Sequence, residues 1–250
     1  MEAKRTILDD TCIIYDIEEL KDISIEELKK EINFQEMYSQ GSPVPRLISI
    51  QGIYDKLKPL YRHPVDSQPE IEQMTPIVKK ICEILSIKCD EQFNHVLIQL
   101  YRDGNDYIGE HADKTLDIKI NTDIVNYSIG ATREMRLRKK KTNDNRERET
   151  IKIKLTHNSL FVLGWETNRK WLHSIHQDKR PQFEKTEDEL FNSGERISFT
   201  FRNIATFIDS DGKIIGQGEK YQQKDTDLEL LKVFSKENHE IDFDWELNYL

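Results

Sequence analysis

The feature that most constrains the fold is a series of short segments, from residue 93 onward, in which apolar and polar residues alternate. Successive side chains of a β-strand point to opposite faces of a sheet, so each segment predicts a strand with at least one buried face. The predicted strands are 93–101, 124–130, 134–140, 149–155, 159–165, 170–175 and 196–202. Helical segments followed by many antiparallel strands predict an α+β fold with a double-sheet, jelly-roll core.

The region before these strands predicts one well-defined helix. Thr75 and Pro76 are a cap residue and a proline at the first helical position. Ile77, Ile81 and Leu85 then recur at every fourth residue, which predicts a buried stripe along that helix.

The first half of the chain also predicts shorter elements. Residues 1–40 are interpreted as short helices with acidic faces, for example S-I-E-E-L-K-K-E-I. Residues 42–46 (S-P-V-P-R) predict a linker or a stiff extended entry, and the alternation in 47–52 predicts a strand. Residues 61–69 contain two prolines and predict a loop.

Four regions describe the predicted organisation. They are an acidic helical N-terminal extension (1–44), a lid with its supporting helix (45–92), a jelly-roll catalytic core (93–207) and an acidic C-terminal extension (208–250).

Composition excludes some classes of protein. Hydrophobic residues make up 36% of the chain and charged residues 33%, as in a globular protein with polar additions. No apolar run approaches the about 20 residues that span a bilayer, and the N-terminus lacks the apolar core of a signal peptide. The three cysteines, Cys12, Cys82 and Cys89, are too scattered for a disulfide framework and are expected to be ordinary thiols in the nucleus or cytoplasm. The sequence leaves the oligomeric state open.

The charge of −9 is unevenly distributed along the chain. Residues 1–40 hold 11 acidic and five basic side chains, and residues 219–250 hold nine and four. Residues 133–154 hold ten basic and four acidic side chains. This segment predicts a β-hairpin with a basic outward face, joined by a turn at T-N-D-N (142–145). Such a face is either an ordinary solvated surface or a contact for phosphates, and the local excess of positive charge favours phosphates.

The stretch D-Y-I-G-E-H-A-D-K (106–114) holds a pair of potential metal ligands. His111 and Asp113 are two residues apart, so on a strand they would point to the same side, and Gly109 would allow a close backbone bend. His173, in W-L-H-S-I, supplies a third candidate on a later strand. Two histidines and one carboxylate form the facial triad of non-haem Fe(II) oxygenases. Taken alone, the H-x-D pair is a weak signal, and His173 is better explained as a satisfied core histidine.

The segment R-I-S-F-T-F-R (196–202) points to an anionic ligand. Arg196, Ser198, Thr200 and Arg202 alternate with apolar residues and share one strand face. A buried guanidinium without an anion is costly, and its planar fork matches a carboxylate, so a dicarboxylate cosubstrate is expected. The alternative is an edge strand whose arginines are solvated.

Four ordered blocks together resemble the AlkB family of Fe(II)/2-oxoglutarate dioxygenases. They are Q-L-Y-R-D-G-N-D-Y-I-G-E-H-A-D, S-I-G-A-T-R-E-M, L-T-H-N-S-L-F-V-L-G-W-E-T-N-R-K-W-L-H-S-I and R-I-S-F-T-F-R. The resemblance is strongest to the eukaryotic nucleic-acid demethylases of that family, and it covers about residues 45–207.

The resemblance implies roles for eight residues. His111, Asp113 and His173 would hold Fe(II), and Arg196 and Tyr101 would bind the far carboxylate of 2-oxoglutarate. Three further positions match residues that line the cosubstrate and reaction site: Gln99, Thr200 and Arg202. Gln99 stands where the family usually has asparagine. Lys114 and Thr115 stand where family demethylases often carry an acid, so the base preference of the family does not transfer.

The chemistry implied by the resemblance is oxidative demethylation with O₂. 2-Oxoglutarate is converted to succinate and CO₂ while an N-methyl group is hydroxylated, and the product releases formaldehyde. The segment 52–64 occupies the place of the family's nucleotide-recognition lid, so Tyr54, Tyr61 and His63 are candidates to stack on a base. The alternative is ordinary packing.

The basic segment supplies the remaining predicted contacts to alkylated DNA or RNA: Arg138, Lys139, Lys140 and Lys141. Two other functions stay open. One is the hydroxylation or demethylation of a protein or another substrate by the same fold, and the other is a catalytically silent nucleic-acid-binding module.

Overall fold

The computed structural model describes residues 2–63, 66–142, 147–222 and 228–250, and its elements are as follows. The strands are β1 (Ala3–Leu8), β2 (Thr11–Tyr15), β3 (Gln35–Ser39), β4 (Ser42–Gly52), β5 (Lys58–Pro59), β6 (Asp66–Ser67), β7 (Glu72–Gln73), β8 (His95–Tyr101), β9 (Ile108–His111), β10 (Ile124–Gly130), β11 (Arg133–Lys139), β12 (Thr150–Leu155), β13 (Ser159–Leu163), β14 (Trp171–Ile175), β15 (Arg196–Arg202), β16 (Thr206–Ile208) and β17 (Ile214–Gly216). The helices are α1 (Ile25–Glu31), α2 (Pro76–Cys89), α3 (Trp165–Lys170), α4 (Glu187–Leu190), α5 (Leu228–His239) and α6 (Trp245–Tyr249).

Two largely antiparallel sheets carry the fold. The larger has the order β1-β2-β13-β10-β15-β8-β4-β3-β6, and β7 joins it in parallel with β4. The second has the order β12-β11-β14-β9, and a small third sheet has the order β17-β16-β5. The chain is therefore an α+β protein with large antiparallel sheets, as the sequence predicted.

The larger sheet is buried on both faces, because its central strands separate two hydrophobic clusters. One face packs against α1 and α2, where Leu28, Ile81 and Leu85 meet Ile197 and Phe199. The other face contributes to the cluster that also holds the apolar side chains of the four-stranded sheet: Met135, Leu137, Ile153 and Leu155. Helix α2 begins at Pro76 as predicted, and Val78, Ile81, Cys82 and Leu85 form its buried stripe.

The N-terminal region is not predominantly helical, which corrects the prediction for residues 1–44. Strands β1 and β2 form a hairpin, and β2 extends the large sheet by pairing with β13. The β-branched and aromatic residues of T-C-I-I-Y fit a pleated surface, and the ladder to β13 stabilises a run that local sequence leaves ambiguous. Of the predicted helices in this region, S-I-E-E-L-K-K-E-I is confirmed as α1, which Ser24 caps.

The C-terminal region packs into the core. Seven of its side chains, from Tyr221 to Tyr249, belong to the same cluster as Tyr61, Tyr101 and Leu116. A buried ion pair fixes this region to the loop before β6, because Arg62 binds Asp117 at 2.6 Å and also donates to the carbonyls of Gly218 and Tyr221. The three boundaries between the four predicted regions remain a prediction.

The predicted strands from residue 93 onward are confirmed with small changes at their ends. The segment 159–165 ends as a strand at Leu163, and Trp165 begins α3. Residues 42–46 belong to β4, in agreement with an extended entry. Most of the predicted turn at 142–145, and residues 64–65 of the predicted loop, lie outside the described residues. In the described part of the chain, no helix has the length and apolar character to cross a membrane.

Candidate active site

A cavity of about 380 Å³ opens between the two sheets. Strand β8 lines it with one face, which carries His95, Leu97, Gln99 and Tyr101, while Val96, Ile98 and Leu100 lie in the core on the opposite face. Strand β15 behaves in the same way, since Ser198, Thr200 and Arg202 line the cavity. The alternation that predicted these two strands therefore also predicted which side chains face the site.

His111, Asp113 and His173 meet at one wall of this cavity, with their potential ligand atoms within 4.8 Å of one another. The Nε2 atoms of His111 and of His173 each lie 3.7 Å from Oδ1 of Asp113. Strands β9 and β14 position the two histidines, because His111 and His173 are direct partners in the antiparallel ladder. These three residues were the predicted triad, and the fold brings all three together.

The local backbone differs from the one predicted. Strand β9 ends at His111, so Asp113 lies beyond the strand and does not share its alternation. Strand β9 has a bulge, because it holds one residue more than β14 between the ladder pairs Ile108–Ile175 and His111–His173. Such a bulge changes the direction of the side chain that follows it, here His111. A Cβ at Gly109 would meet no atom within 4 Å, so close packing does not require a glycine there.

Because Asp113 has no strand partner, two other residues fix its position. The side-chain amide of Asn168 accepts a hydrogen bond from the backbone N–H of Asp113 and donates one to its carbonyl, at 3.0 and 2.9 Å. Arg202 donates from Nε and Nη2 to Oδ2 of the carboxylate, at 2.9 and 2.7 Å. Oδ1 therefore stays available on the side of the two histidines.

The protonation states suit a cation. The backbone carbonyl of Gly109 lies 2.8 Å from Nδ1 of His111, which places the proton on Nδ1 and a lone pair on Nε2. Burial lowers the pKa of both His111 and His173, so both imidazoles are neutral. Burial opposes ionisation of Asp113, but Arg202 and the two imidazoles outweigh it and lower the pKa of this carboxyl. Two neutral imidazoles and a carboxylate are a donor set that fits Fe(II).

Next to Asn126 and Tyr101, two residues that line the cavity, lies an arginine without an anion. Arg196 is completely buried, and Nη2 donates to Asn126 and Ser128 at 3.1 and 2.9 Å. Its Nε and Nη1 have no hydrogen-bond partner among the described residues. The guanidinium lies 5.2 Å from the ring centre of Tyr101, and burial lowers the pKa of Arg196 to about 10. Two free donors on a buried cation fit the distal carboxylate of 2-oxoglutarate.

The remaining predicted cosubstrate residues line the cavity but are partly engaged. Gln99 accepts a hydrogen bond from Nε of Arg46 at 2.6 Å, so its carbonyl oxygen is occupied. Thr200 accepts one from Asn126 at 3.0 Å. Arg202 is paired with Asp113, and Nη1 is its one donor without a partner in the described residues. A contact between these side chains and 2-oxoglutarate remains a prediction.

The predicted substrate contacts divide into two groups. Tyr61 and His63 line the cavity, and the guanidinium of Arg202 covers the ring of Tyr61 at 4.2 Å. Tyr54 does not line it, because its hydroxyl donates to the carbonyl of Ile71 and Lys58 lies above its ring. The prediction that Tyr54 stacks on a base is therefore not supported.

The basic hairpin is present, and one of its predicted residues is misplaced. Lys140 is buried and donates to the backbone carbonyl of Glu237, which removes it from the surface. Burial lowers the pKa of Lys140 to about 8. Arg138 and Lys141 are exposed, and Arg138 shares the outward face with Arg136, Lys152 and Lys154. Lys139 is half-buried and lies on the other face of β11, over the ring of Trp171.

Sequence reasoning missed several residues that shape the site. Asn126 joins Arg196 to Ser198 and Thr200, and its only sequence signal is a polar side chain inside the apolar strand I-V-N-Y-S-I-G. Asn168 had no local signal. Glu237 is buried in α5 and accepts a hydrogen bond from the backbone N–H of Thr115, so it holds the loop that follows Asp113.

Residues 15–202 match the 2OG-Fe(II) oxygenase superfamily. The chain belongs to this superfamily. The match covers most of the chain and includes the three clustered ligands, Arg196 and the strands that carry them. The chain is therefore a 2OG-Fe(II) oxygenase, an enzyme class that uses iron and 2-oxoglutarate.

Curated relatives place it near the AlkB demethylases, in agreement with the resemblance seen in the sequence. It is 30% identical over 132 residues to the DNA oxidative demethylase ALKBH2 of Bos taurus, a match that covers 52% of this chain and 44% of the relative. It is 26% identical over 133 residues to the human alpha-ketoglutarate-dependent dioxygenase alkB homolog 3, with 52% and 43% covered. The chain therefore spans less than half the length of these two relatives.

A solved structure shares the fold. The structure of OsALKBH1 superimposes with a TM-score of 0.50 at 14% identity, covering 80% of this chain and 100% of that one. At this identity the likeness concerns the fold alone.

Proposed function

We propose that this enzyme is an Fe(II)/2-oxoglutarate-dependent dioxygenase that oxidatively demethylates N-alkylated bases in DNA or RNA. The observation that carries the proposal is a three-ligand cluster on the wall of a cavity, together with a buried, anion-free guanidinium that contacts two other residues of its lining, Asn126 and Tyr101. The names of the relatives support the choice of nucleic acid as substrate. We also infer that the two facing sheets form the double-stranded β-helix of the jelly roll and that the segment around Tyr61 and His63 is a lid over the site. We propose the nucleus or cytoplasm as the location of the enzyme.

His111, Asp113 and His173 would hold Fe(II), and Arg196 with Tyr101 would bind the distal carboxylate of 2-oxoglutarate. Iron bound there would supply the activation of O₂, so that 2-oxoglutarate would lose CO₂ and take up one oxygen atom to become succinate while the other oxygen atom would be inserted into a methyl C–H bond. The resulting N–CH₂OH group loses formaldehyde and leaves N–H. The chain itself keeps the ligands oriented through Asn168 and Arg202 and surrounds the cosubstrate with buried side chains.

The test is a substrate panel. We expect succinate and formaldehyde release above background with N-methylated oligonucleotides, single-stranded or duplex, and background release with the same oligonucleotides unmethylated. Methyl-lysine peptides serve as the comparison for a protein substrate. Stronger stimulation by peptides would contradict the proposal in favour of the protein-directed alternative, and binding of oligonucleotides without turnover would favour a silent binding module.

The outward face of the β11–β12 hairpin is the surface proposed to meet phosphates. Arg136 lies opposite Lys152 and Glu134 opposite Lys154 in the ladder, so this face has one acidic and several basic side chains. Arg138 reaches Glu110 at 3.2 Å, and Glu110 lines the cavity. The basic face therefore adjoins the mouth of the site.

Reversing two charges on this face is expected to weaken oligonucleotide binding. We expect Lys152→Glu/Lys154→Glu to raise the Kd at least about tenfold at low salt and to flatten the dependence of log Kd on log salt, because each lost phosphate contact removes about 0.9 from the slope. The matched control is Lys79→Glu/Lys80→Glu, which reverses two exposed charges on α2. Equal effects of both variants would mean that net charge alone, and not this face, governs binding.

A further inference from the structure

His95 stands at the boundary of two cavities. It lines the cavity that holds His111, Asp113 and His173, and it also lines an outer groove of about 1160 Å³ bounded by residues 55–63, 67–71 and 208–210. Tyr61 and His63 line both cavities as well. The ring centre of Tyr61 lies 5.3 Å from that of His63 and 5.8 Å from that of His95. The rings of Tyr61, His63 and His95 therefore lie at the boundary between the outer groove and the cavity that holds the three candidate ligands.

Position on β8 separates His95 from the cosubstrate end. His95 and Tyr101 share the inward face but stand at opposite ends of the strand, about 20 Å apart at the usual rise per residue. Tyr101 pairs with Arg196 across the ladder, whereas His95 pairs with Arg202, the residue that holds Asp113. His95 therefore lies at the end of β8 opposite Arg196, next to the arginine that holds Asp113.

The imidazole of His95 has unused hydrogen-bonding capacity. Only 3% of the residue is exposed, and Nδ1 has no hydrogen-bond partner among the described residues. Burial and the nearby charge of Arg202 lower the pKa of His95 to about 3, so the ring is neutral and carries one proton. A sealed N–H without an acceptor is rarer in proteins than an unsatisfied acceptor. With Nδ1 as the unprotonated nitrogen, the proton lies on Nε2.

Building on the demethylase function proposed above, we infer that His95 is a specificity-determining residue that donates a hydrogen bond from Nε2 to a carbonyl oxygen of the target base. The substrates it favours are N-methylated pyrimidines or purines with a ring carbonyl beside the methylated nitrogen. Tyr61 and His63 provide flat surfaces for the same ring.

The test uses two oligonucleotides that differ in their methylated base. In 3-methylthymine, carbonyl groups flank the methylated nitrogen, whereas 1-methyladenine has no carbonyl. We expect His95→Phe, which keeps an aromatic ring but has no donor, to raise the KM for the 3-methylthymine oligonucleotide about five- to tenfold. In the same variant, the KM for the 1-methyladenine oligonucleotide should change by less than about twofold. His95→Gln, which retains a donor, should recover most of the loss.

The controls separate this inference from the proposed function. His239→Phe changes an exposed histidine on α5 and should leave both KM values unchanged. Equal KM changes for the two substrates in His95→Phe, or a larger change for 1-methyladenine, would overturn the role of His95 while the demethylase function stands. Absence of turnover by the wild-type enzyme with both oligonucleotides would overturn the proposed function itself, and the inference with it.

Discussion

Replacing His111 with alanine is expected to lower methyl removal at least about a hundredfold, since loss of even an outer partner of a metal ligand typically costs 10–100-fold. The side chain is 25% exposed, and it contacts only Asp113, His173 and the carbonyl of Gly109 among the described residues that the site involves, so the fold should tolerate the change. Oligonucleotide affinity should stay within a few-fold, because the basic face of the hairpin does not include this residue.

Three measurements check this expectation: formaldehyde release, Mn(II) affinity by calorimetry, and oligonucleotide Kd. His239→Ala is the control, because it removes an exposed imidazole that contacts the carbonyl of Ser235 on its own helix. Normal turnover by His111→Ala would show that the ligand assignment is wrong. A parallel loss of turnover and oligonucleotide binding would instead indicate that the variant is misfolded.

Replacing Arg196 with methionine is expected to abolish 2-oxoglutarate binding without unfolding the enzyme. The buried guanidinium has two donors without partners among the described residues, so its removal relieves the cost of burying an unsatisfied cation. The same change removes its hydrogen bonds to Asn126 and Ser128, which partly offsets this gain. We expect the free energy of unfolding without cosubstrate to change by less than about 2 kcal/mol. The Kd for 2-oxoglutarate should rise at least about thirtyfold, since truncating one partner of a buried charge pair costs about 2–5 kcal/mol.

Thermal unfolding with Mn(II) and increasing 2-oxoglutarate measures both quantities at once. A ligand at a hundredfold excess over its Kd stabilises by about 2.7 kcal/mol, so the wild-type transition should shift and the Arg196→Met transition should not. Arg180→Met is the control, because Arg180 is exposed and pairs with Asp178 and Glu189. A full cosubstrate-dependent shift in Arg196→Met would refute the assignment of this arginine.

The sequence predicted the parts of the site that periodicity determines. In β15, alternation alone separated Arg196 and Arg202 from Phe199 and Phe201, because a strand with two buried faces still divides its side chains between them. The triad was predictable as residue types, and the ladder pair of His111 with His173 explains why residues distant in sequence meet.

Contacts between distant segments explain what the sequence could not predict. Residues 11–15 are a strand because β13 lies beside them, and this partner is not visible in a local window. Lys140 occurs within a basic run but turns inward to a carbonyl of α5. Asn168 is 55 residues from Asp113, and nothing near it in the sequence marks it as the residue that fixes the ligand.

The packing of α5 on the loop after Asp113 has a consequence for the order of folding. Glu237 binds Thr115, Asn238 binds the backbone of Ala112, and Trp245 donates to the hydroxyl of Thr115. The ligand loop therefore gains these supports only after residues 237–245, more than 120 positions later in the sequence, have been synthesised. The strands that are synthesised earlier would therefore carry an incompletely supported ligand loop until α5 packs against it.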